Sequence, residues 1–189
     1  MFITRKSELR NRIIADRKIL TDKDLKDLKI IDSLFTFDDY LSCSTLLCYV
    51  SLPDEIDTRR IISNSFKRGK IVAVPFCDER SLKFKVISSF DDLQNGRFDI
   101  PTAKDNCPEL IDFSSALCVT PCLSVDRNLN RLGYGGGYYD RLFDDNPDLL
   151  SVALCYSDFF VDNLPEYRHD RKVDYVITDK NVYGGLTDG

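Results

Sequence analysis

Glycine is scarce in this chain, nine residues in 189, and histidine occurs once. No apolar run approaches the roughly 20 residues that span a bilayer, so no membrane association is expected. The segment Met1 to Arg12 is charged and lacks the hydrophobic core of a signal peptide. A cytoplasmic location is the expectation. Net charge is −5 with both signs mixed along the sequence, which denies the chain the broad basic face that nucleic-acid binding needs. There is no C-x-x-C pair, and the seven cysteines are an odd number. Several sit inside apolar runs (Cys48, Cys118, Cys155), the pattern of reduced, buried small residues more than of a zinc site or a thiol nucleophile. Internal repeats, low-complexity tracts and domain linkers are also missing.

What is present is the balance of a soluble globular protein, 43% hydrophobic and 30% charged, in a length suited to one domain. Against that background, residues 131–141 stand out: Arg-Leu-Gly-Tyr-Gly-Gly-Gly-Tyr-Tyr-Asp-Arg. Four of the nine glycines fall here, at Gly133 and Gly135 to Gly137. Glycine accepts positive φ and lets backbone approach a ligand, at an entropic cost. Successive bare N–H groups form an anion-binding concavity, strengthened by a helix that starts just after it. Phosphate fits such a cradle. The aromatics and arginines argue against a flexible linker, and no Gly-Lys-Ser/Thr closes a Walker loop. Tyr138 stands where a Rossmann fingerprint needs its third glycine. A structural turn is the plain alternative.

Along the chain, the first forty residues read as a helical pair. In the first helix Leu9, Ile13 and Leu20 face a core while Lys6, Arg10 and Arg17 share another side. Lys6 and Arg10, four apart, project together and suit a polyphosphate or simply a solvated basic face. Thr21 and Asp24 suggest a capping box for the second helix, with Leu25, Leu28 and Phe35 beneath it. Thr45 to Val50 reads as a strand, Asp57 to Lys67 as a helix ended by Gly69, and Ile71 to Val74 as a strand stopped by Pro75. That is a βαβ unit. Further strands are expected at Leu82 to Ile87, Ala116 to Thr120, Val152 to Tyr156 and Val173 to Thr178. Residues 91–112 read as loop, and Tyr138 to Phe143 as a short helix. The expected fold is α/β, a single-domain open, mostly parallel sheet flanked by helices, with ligands at the strand C-terminal ends.

Taken together, these residues resemble the 5-formyltetrahydrofolate cyclo-ligases, also called methenyltetrahydrofolate synthetases. Arg131 to Arg141 is similar to their signature, and Lys6 with Arg10 to their N-terminal Lys-x-x-x-Arg pair. Val50-Ser-Leu-Pro-Asp-Glu55-Ile-Asp57-Thr, Pro121-Cys-Leu-Ser-Val-Asp126 and Leu164-Pro-Glu-Tyr-Arg-His169-Asp170 fall in family order. The resemblance spans nearly the whole chain. It implies ATP- and Mg2+-dependent cyclisation of 5-formyltetrahydrofolate to 5,10-methenyltetrahydrofolate by a monomer, on a reduced folate with or without a polyglutamate tail.

By position, the resemblance gives Lys6, Arg10 and the stretch Arg131, Leu132, Gly133, Tyr134, Gly135, Gly136, Gly137, Tyr138 and Tyr139 to the nucleotide. Arg131, Tyr138 and Tyr139 would stand at the reacting centre. Val50 and Glu55 would contact folate together with Tyr134 to Tyr138, and Asp140 and Asp170 would hold magnesium. His169 would shape the loop of Asp170. This chain departs from the family where some members carry cations, at Tyr134 and Gly136. Cys122 replaces the usual glycine after Pro121, and the loop Arg127 to Asn130 lacks its common glycine. Phe98-Asp-Ile-Pro101-Thr replaces a Gly-Ile-x-Glu-Pro segment. Turnover of another formyl or carboxyl acceptor, or phosphate-ligand sensing without catalysis, are the competing readings.

Overall fold

The computed structural model describes residues 6–78, 80–96 and 100–185. Helices α1 (Lys6–Arg17), α2 (Lys23–Phe35) and α3 (Asp38–Ser42) precede β1 (Thr45–Cys48), α4 (Thr58–Lys67), β2 (Ile71–Asp78) and β3 (Ser81–Ile87). Short strands β4 (Leu93–Asn95), β5 (Pro101–Ala103) and β6 (Glu109–Leu110) lead to β7 (Ala116–Thr120) and the hairpin β8 (Ser124–Asp126), β9 (Arg131–Leu132). The chain closes through α5 (Tyr138–Asp145), β10 (Leu150–Leu154), β11 (Phe160–Val161), β12 (Tyr175–Ile177) and β13 (Val182–Gly184).

The main sheet has the order β13-β12-β10-β7-β1-β2-β3-β6. Its centre, β12 to β2, is parallel, and the flanks are antiparallel. Strands such as Thr45–Cys48 and Ala116–Thr120 are buried at every position, as expected of parallel strands covered on both faces. The chain enters the sheet at β1, steps to β2 on one side, then crosses to β7 on the other. The strand order therefore reverses between β1 and β7. In open α/β sheets the crevice outside the strand C-termini at that point receives ligands. Residues 49–55 leave β1 there, and Pro121 onward leaves β7.

Several sequence expectations are corrected. On α1 the buried positions are Lys6, Leu9, Ile13 and Arg17. At about 100° per residue the basic and apolar stripes abut, so Lys6 and Arg17 ride on the buried edge and only Arg10 is half-exposed. Helix α2 buries Asp27, Ile30, Ile31 and Leu34, leaving Leu25 and Leu28 exposed. Its N-cap is Asp22 at φ 57, without a side-chain cap. Strand β2 runs through Pro75 because its parallel pairing ends at Ala73, and proline is tolerated where one edge is unpaired. The expected loop 91–112 contains the β4–β5 ladder and β6. Strand β10 starts two residues earlier than its apolar run suggests. Phe98 and Asp99 lie outside the described residues.

One buried carboxylate fixes how the connecting segments meet. Asp126 is fully buried; its Oδ1 accepts from the backbone N–H of Asn128 and of Asn130, both at 2.9 Å. Its Oδ2 accepts from Asn130 Nδ2 at 3.1 Å and the N–H of Leu164 at 2.9 Å. The β8–β9 turn is thereby tied to the segment that carries residue 170. The turn lacks the family's glycine, and Leu129 adopts φ 64 within it. Asp126→Ala strands these donors, and we expect a loss of about 3 kcal/mol, read as a lower urea midpoint at unchanged slope.

Candidate active site

Strand β9 presents Arg131 and Leu132, both buried, at the mouth of the glycine run. Arg131 Nη2 lies 3.3 Å from Asp140 Oδ1, Nη1 donates to the Pro121 carbonyl at 3.4 Å, and the guanidinium sits 5.3 Å over the Tyr139 ring. Arg131 Nε is buried without a partner. Arg10 reaches in from α1, its Nε donating to the Gly133 carbonyl at 2.8 Å. Gly135 (φ +105) and Gly137 (φ +65) need the left-handed region, whereas Gly136 does not. Gly137 is also the N-cap of α5, so the run ends on a helix N-terminus suited to an anion.

The cations and carboxylates alternate. Lys6 Nζ makes an ion pair with Asp170 Oδ2 and lies 4.6 Å from the Tyr167 ring centroid. Asp170 Oδ2 also accepts from the Tyr167 N–H, and Asp140 Oδ1 accepts from the Arg171 N–H at 3.1 Å. Asp140 and Asp170 are thus neighbours through one backbone link. Among the described residues, every hydrogen bond to Asp140 falls on Oδ1 and every one to Asp170 on Oδ2. One oxygen of each carboxylate remains for a hard cation. No group of three or more His, Cys, Asp or Glu that could hold a metal occurs among the described residues. Magnesium suits such a place only together with phosphate oxygens and water, its usual mode with one or two carboxylates.

Across the crevice, Glu55 is buried and accepts from the Leu52 N–H at 2.9 Å and from the Tyr134 hydroxyl at 2.6 Å. Burial raises its pKa above the ordinary carboxylate value, opposed by those hydrogen bonds and by the charge of Arg17. Burial and the Glu55 charge also push the Tyr134 phenol up, so it stays a neutral donor. Tyr134 remains about half exposed, with its hydroxyl turned inward.

The consecutive tyrosines diverge. Tyr139 packs toward the core beside Phe143, ring centroids 6.3 Å apart, and burial raises its phenol. Tyr138 faces Arg141, whose guanidinium lies 4.9 Å from the ring centroid. Val50 and Leu132 are sealed in the core and offer a ligand little side-chain surface. His169 is exposed. A groove of about 810 Å3 lies beyond Arg141, lined by β3, β6 and α5 residues such as Lys83, Leu110 and Leu142; of the glycine-run segment it includes only Arg141. Sequence reasoning missed two contributors. Arg141 donates to the Gly136 carbonyl at 3.1 Å and to that of Arg80 at 2.7 Å, and Arg17 lies buried against the Cys122 and Leu123 carbonyls. The spacing of Arg17 from Lys6 on one helical stripe was the available signal.

This geometry has relatives. The family model described as the 5-formyltetrahydrofolate cyclo-ligase family matches residues 3–179. The chain belongs to that family. Among cyclo-ligase relatives, the probable 5-formyltetrahydrofolate cyclo-ligase of Schizosaccharomyces pombe is 23% identical over 94% of this chain and 97% of its own length. The 5-formyltetrahydrofolate cyclo-ligase of Mus musculus is 25% identical, over 91% and 90%. The solution structure of the Aquifex aeolicus 5,10-methenyltetrahydrofolate synthetase superposes with a TM-score of 0.83 at 26% identity, covering 97% of this chain and 94% of that one. The mostly parallel sheet and the N-terminal helices of this chain are those of the synthetase fold.

Glu55 supplies a pH test. Its raised folded value means that its contribution to stability is present below the ordinary carboxylate range. That contribution is lost as pH rises through the folded value. Glu55→Gln should therefore melt higher than the native chain at pH 8, with the gain vanishing toward pH 4 in a pH series of thermal unfolding. An unchanged difference across that range would mean that Glu55 is not held in a water-poor place.

Proposed function

We propose that the chain is an ATP- and Mg2+-dependent enzyme that converts 5-formyltetrahydrofolate to 5,10-methenyltetrahydrofolate with release of ADP and phosphate. The observation that carries this reading is the convergence at one switch point of two unlike half-sites. Lys6, Arg10 and Arg131, with the backbone of Gly133 to Gly137, offer cations and N–H groups to a triphosphate. Glu55, ringed by the Leu52 N–H and the Tyr134 hydroxyl, offers a carboxylate to the paired N–H donors of a pterin. The glycine run separates them and touches both.

The formyl oxygen of an amide is a poor leaving group. In this reading it attacks the γ-phosphorus of ATP, ADP departs, and the oxygen becomes part of a phosphate ester. The second folate nitrogen then adds its lone pair to the formyl carbon and loses its proton. The carbon–oxygen bond breaks, phosphate leaves, and the methenyl bridge remains. Such phosphoryl transfer rests on positioning and charge neutralisation. Arg131 is pre-set for charge at the γ-phosphate by its contacts to Asp140, Pro121 and Tyr139. In this reading Tyr138, stacked on Arg141, and Tyr139, packed beside Phe143, flank the reacting centre, and Val50 lines the folate side through its backbone. Asp140 and Asp170 would hold Mg2+, which would supply charge neutralisation of the triphosphate.

Seven free cysteines, five of them buried, suit a reducing compartment and support a cytoplasmic location. No helix among the described residues is long and apolar enough to cross a membrane. A monomer belongs to the same reading, since Lys6, Arg10, Glu55, Arg131, Asp140 and Asp170 all come from one chain.

The enzymatic reading is checked by incubating the purified chain with 5-formyltetrahydrofolate, with and without MgATP. Near-ultraviolet absorbance of the methenyl product should grow only with MgATP. ATP turnover that depends on a different acceptor, or binding without turnover, would refute it. Asp140→Asn should lower kcat by about tenfold or more and raise the Mg2+ concentration needed for half-maximal rate. Gly135→Val places a β-branched residue at φ +105, its Cβ 3.2 Å from the Arg10 guanidinium. The Kd for ATP should rise by about tenfold or more; native affinity would remove the run from the nucleotide site.

A further inference from the structure

Tyr134 bridges the crevice. It stands between Gly133 and Gly135 and is 49% exposed, yet its hydroxyl turns inward and donates to Glu55 Oε1 at 2.6 Å. That is the distance of a charge-assisted hydroxyl–carboxylate bond. Glu55 is 6% exposed, and its other oxygen, Oε2, accepts from the Leu52 N–H at 2.9 Å. Leu52 and Glu55 also share a backbone bond, the Glu55 N–H donating to the Leu52 carbonyl at 3.0 Å. One side of the carboxylate is therefore fixed by its own turn, whereas the other is covered by a side chain 79 residues away in sequence. A pterin presents two adjacent N–H donors, which pair best with both oxygens of one carboxylate. A carboxylate this covered takes such a guest only after something moves, and the long-range partner is the one free to do so.

A cation of the phosphate half-site holds the backbone at Tyr134. Arg10 Nε donates to the Gly133 carbonyl at 2.8 Å, and a Cβ on Gly135 would lie 3.2 Å from the Arg10 guanidinium carbon. Arg10 thus touches both glycines that flank Tyr134. Gly135, at φ +105, gives the segment backbone that reorients at low steric cost. A phosphate oxygen is a stronger acceptor for a guanidinium than a neutral carbonyl is.

We propose that Tyr134 is a latch on Glu55 that the nucleotide opens, so that ATP prepares the site for folate. The proposal rests on the reading that Glu55 binds the pterin and Arg10 the triphosphate. In the empty site the Tyr134 hydroxyl occupies the carboxylate. A triphosphate on the glycine run draws Arg10 from the Gly133 carbonyl, and Tyr134 swings off Glu55 on its flanking glycines. Both carboxylate oxygens then face the pterin, and the tyrosine ring lines the folate instead of covering its anchor. The two ligands favour the same open arrangement, so each raises the affinity of the other by the same factor. Without nucleotide, the fraction of molecules with the latch open limits folate affinity.

Equilibrium binding of 5-formyltetrahydrofolate tests the latch, with and without a non-hydrolysable MgATP analogue, on the native chain, Tyr134→Phe and Glu55→Gln. The analogue should tighten folate binding to the native chain by about tenfold. Tyr134→Phe keeps the ring and removes only the hydroxyl. It should bind folate about tenfold tighter than the native chain without the analogue, and the analogue should add less than about twofold. A ring that only packs against folate or shapes the run would give no gain in affinity and leave the nucleotide effect intact. The latch is overturned if the analogue leaves native affinity unmoved, or if Tyr134→Phe binds no tighter or keeps the full nucleotide effect. Glu55→Gln tells that failure from failure of the underlying reading. If it weakens folate binding by about tenfold or more while Tyr134→Phe is neutral, the latch alone falls. If it leaves folate binding unchanged, the pterin contact falls and the latch with it.

Discussion

The ion pair between Arg131 and Asp140 is the constraint on which the site depends. Arg131 has a side chain only 3% exposed, and leaving a guanidinium there without a counter-charge is costly. Its partner is the third residue of α5, so the pair clamps the strand entering the glycine run to the helix leaving it. Between these two fixed ends the backbone of Gly133 to Gly137 must turn through two left-handed residues, which only glycine does at little cost. The cradle is therefore shaped by what bounds it. The same carboxylate accepts from the Arg171 N–H, which brings the segment of Asp170 to the pocket, and Asp170 in turn anchors Lys6. One chain of alternating charges thus gathers residues from the two termini and the middle of the sequence.

The sheet explains why this chain of charges sits where it does. Strand order reverses between β1 and β7, and the segments leaving their C-terminal ends part to make a crevice. One wall carries Glu55, the other carries the glycine run, and α1 contributes Lys6, Arg10 and Arg17 along one stripe, the first and last of them buried. Lys6 reaches Asp170 and Arg10 reaches the Gly133 carbonyl, whereas Arg17 ties the end of α1 to the Cys122 and Leu123 carbonyls.

Much of this was legible in the sequence where a residue type has few alternative uses. The clustering of glycines between Arg131 and Arg141 marked a turn that passes through two left-handed residues into α5, and short apolar runs marked the central strands β1, β2, β7 and β10. The illegible parts have physical causes. Lys6 and Arg17 read as surface cations because apolar and basic stripes on α1 abut, and only tertiary contacts reveal that both are covered. Leu25 and Leu28 read as core because the helix phase of α2 was taken from its leucines, while Ile30, Ile31 and Leu34 set it. Two- and three-residue strands such as β6 and β9 carry no periodicity to detect. The positive-φ demand within the run fell on Gly135 and Gly137, a distribution that composition alone cannot assign. Asp126 entered only as the end of the Pro121 to Asp126 segment, yet its burial with four donors sets the geometry of the turn before Arg131.

The central claim is that the formyl oxygen is removed as phosphate on a surface built to hold a triphosphate beside a folate. It is tested most directly with substrate labelled by 18O in the formyl group, incubated with the enzyme, Mg2+ and ATP under single-turnover conditions, with mass analysis of the phosphate released. The account predicts one 18O atom in each phosphate formed per methenyl product. Unlabelled phosphate, with the 18O appearing in water, would contradict it.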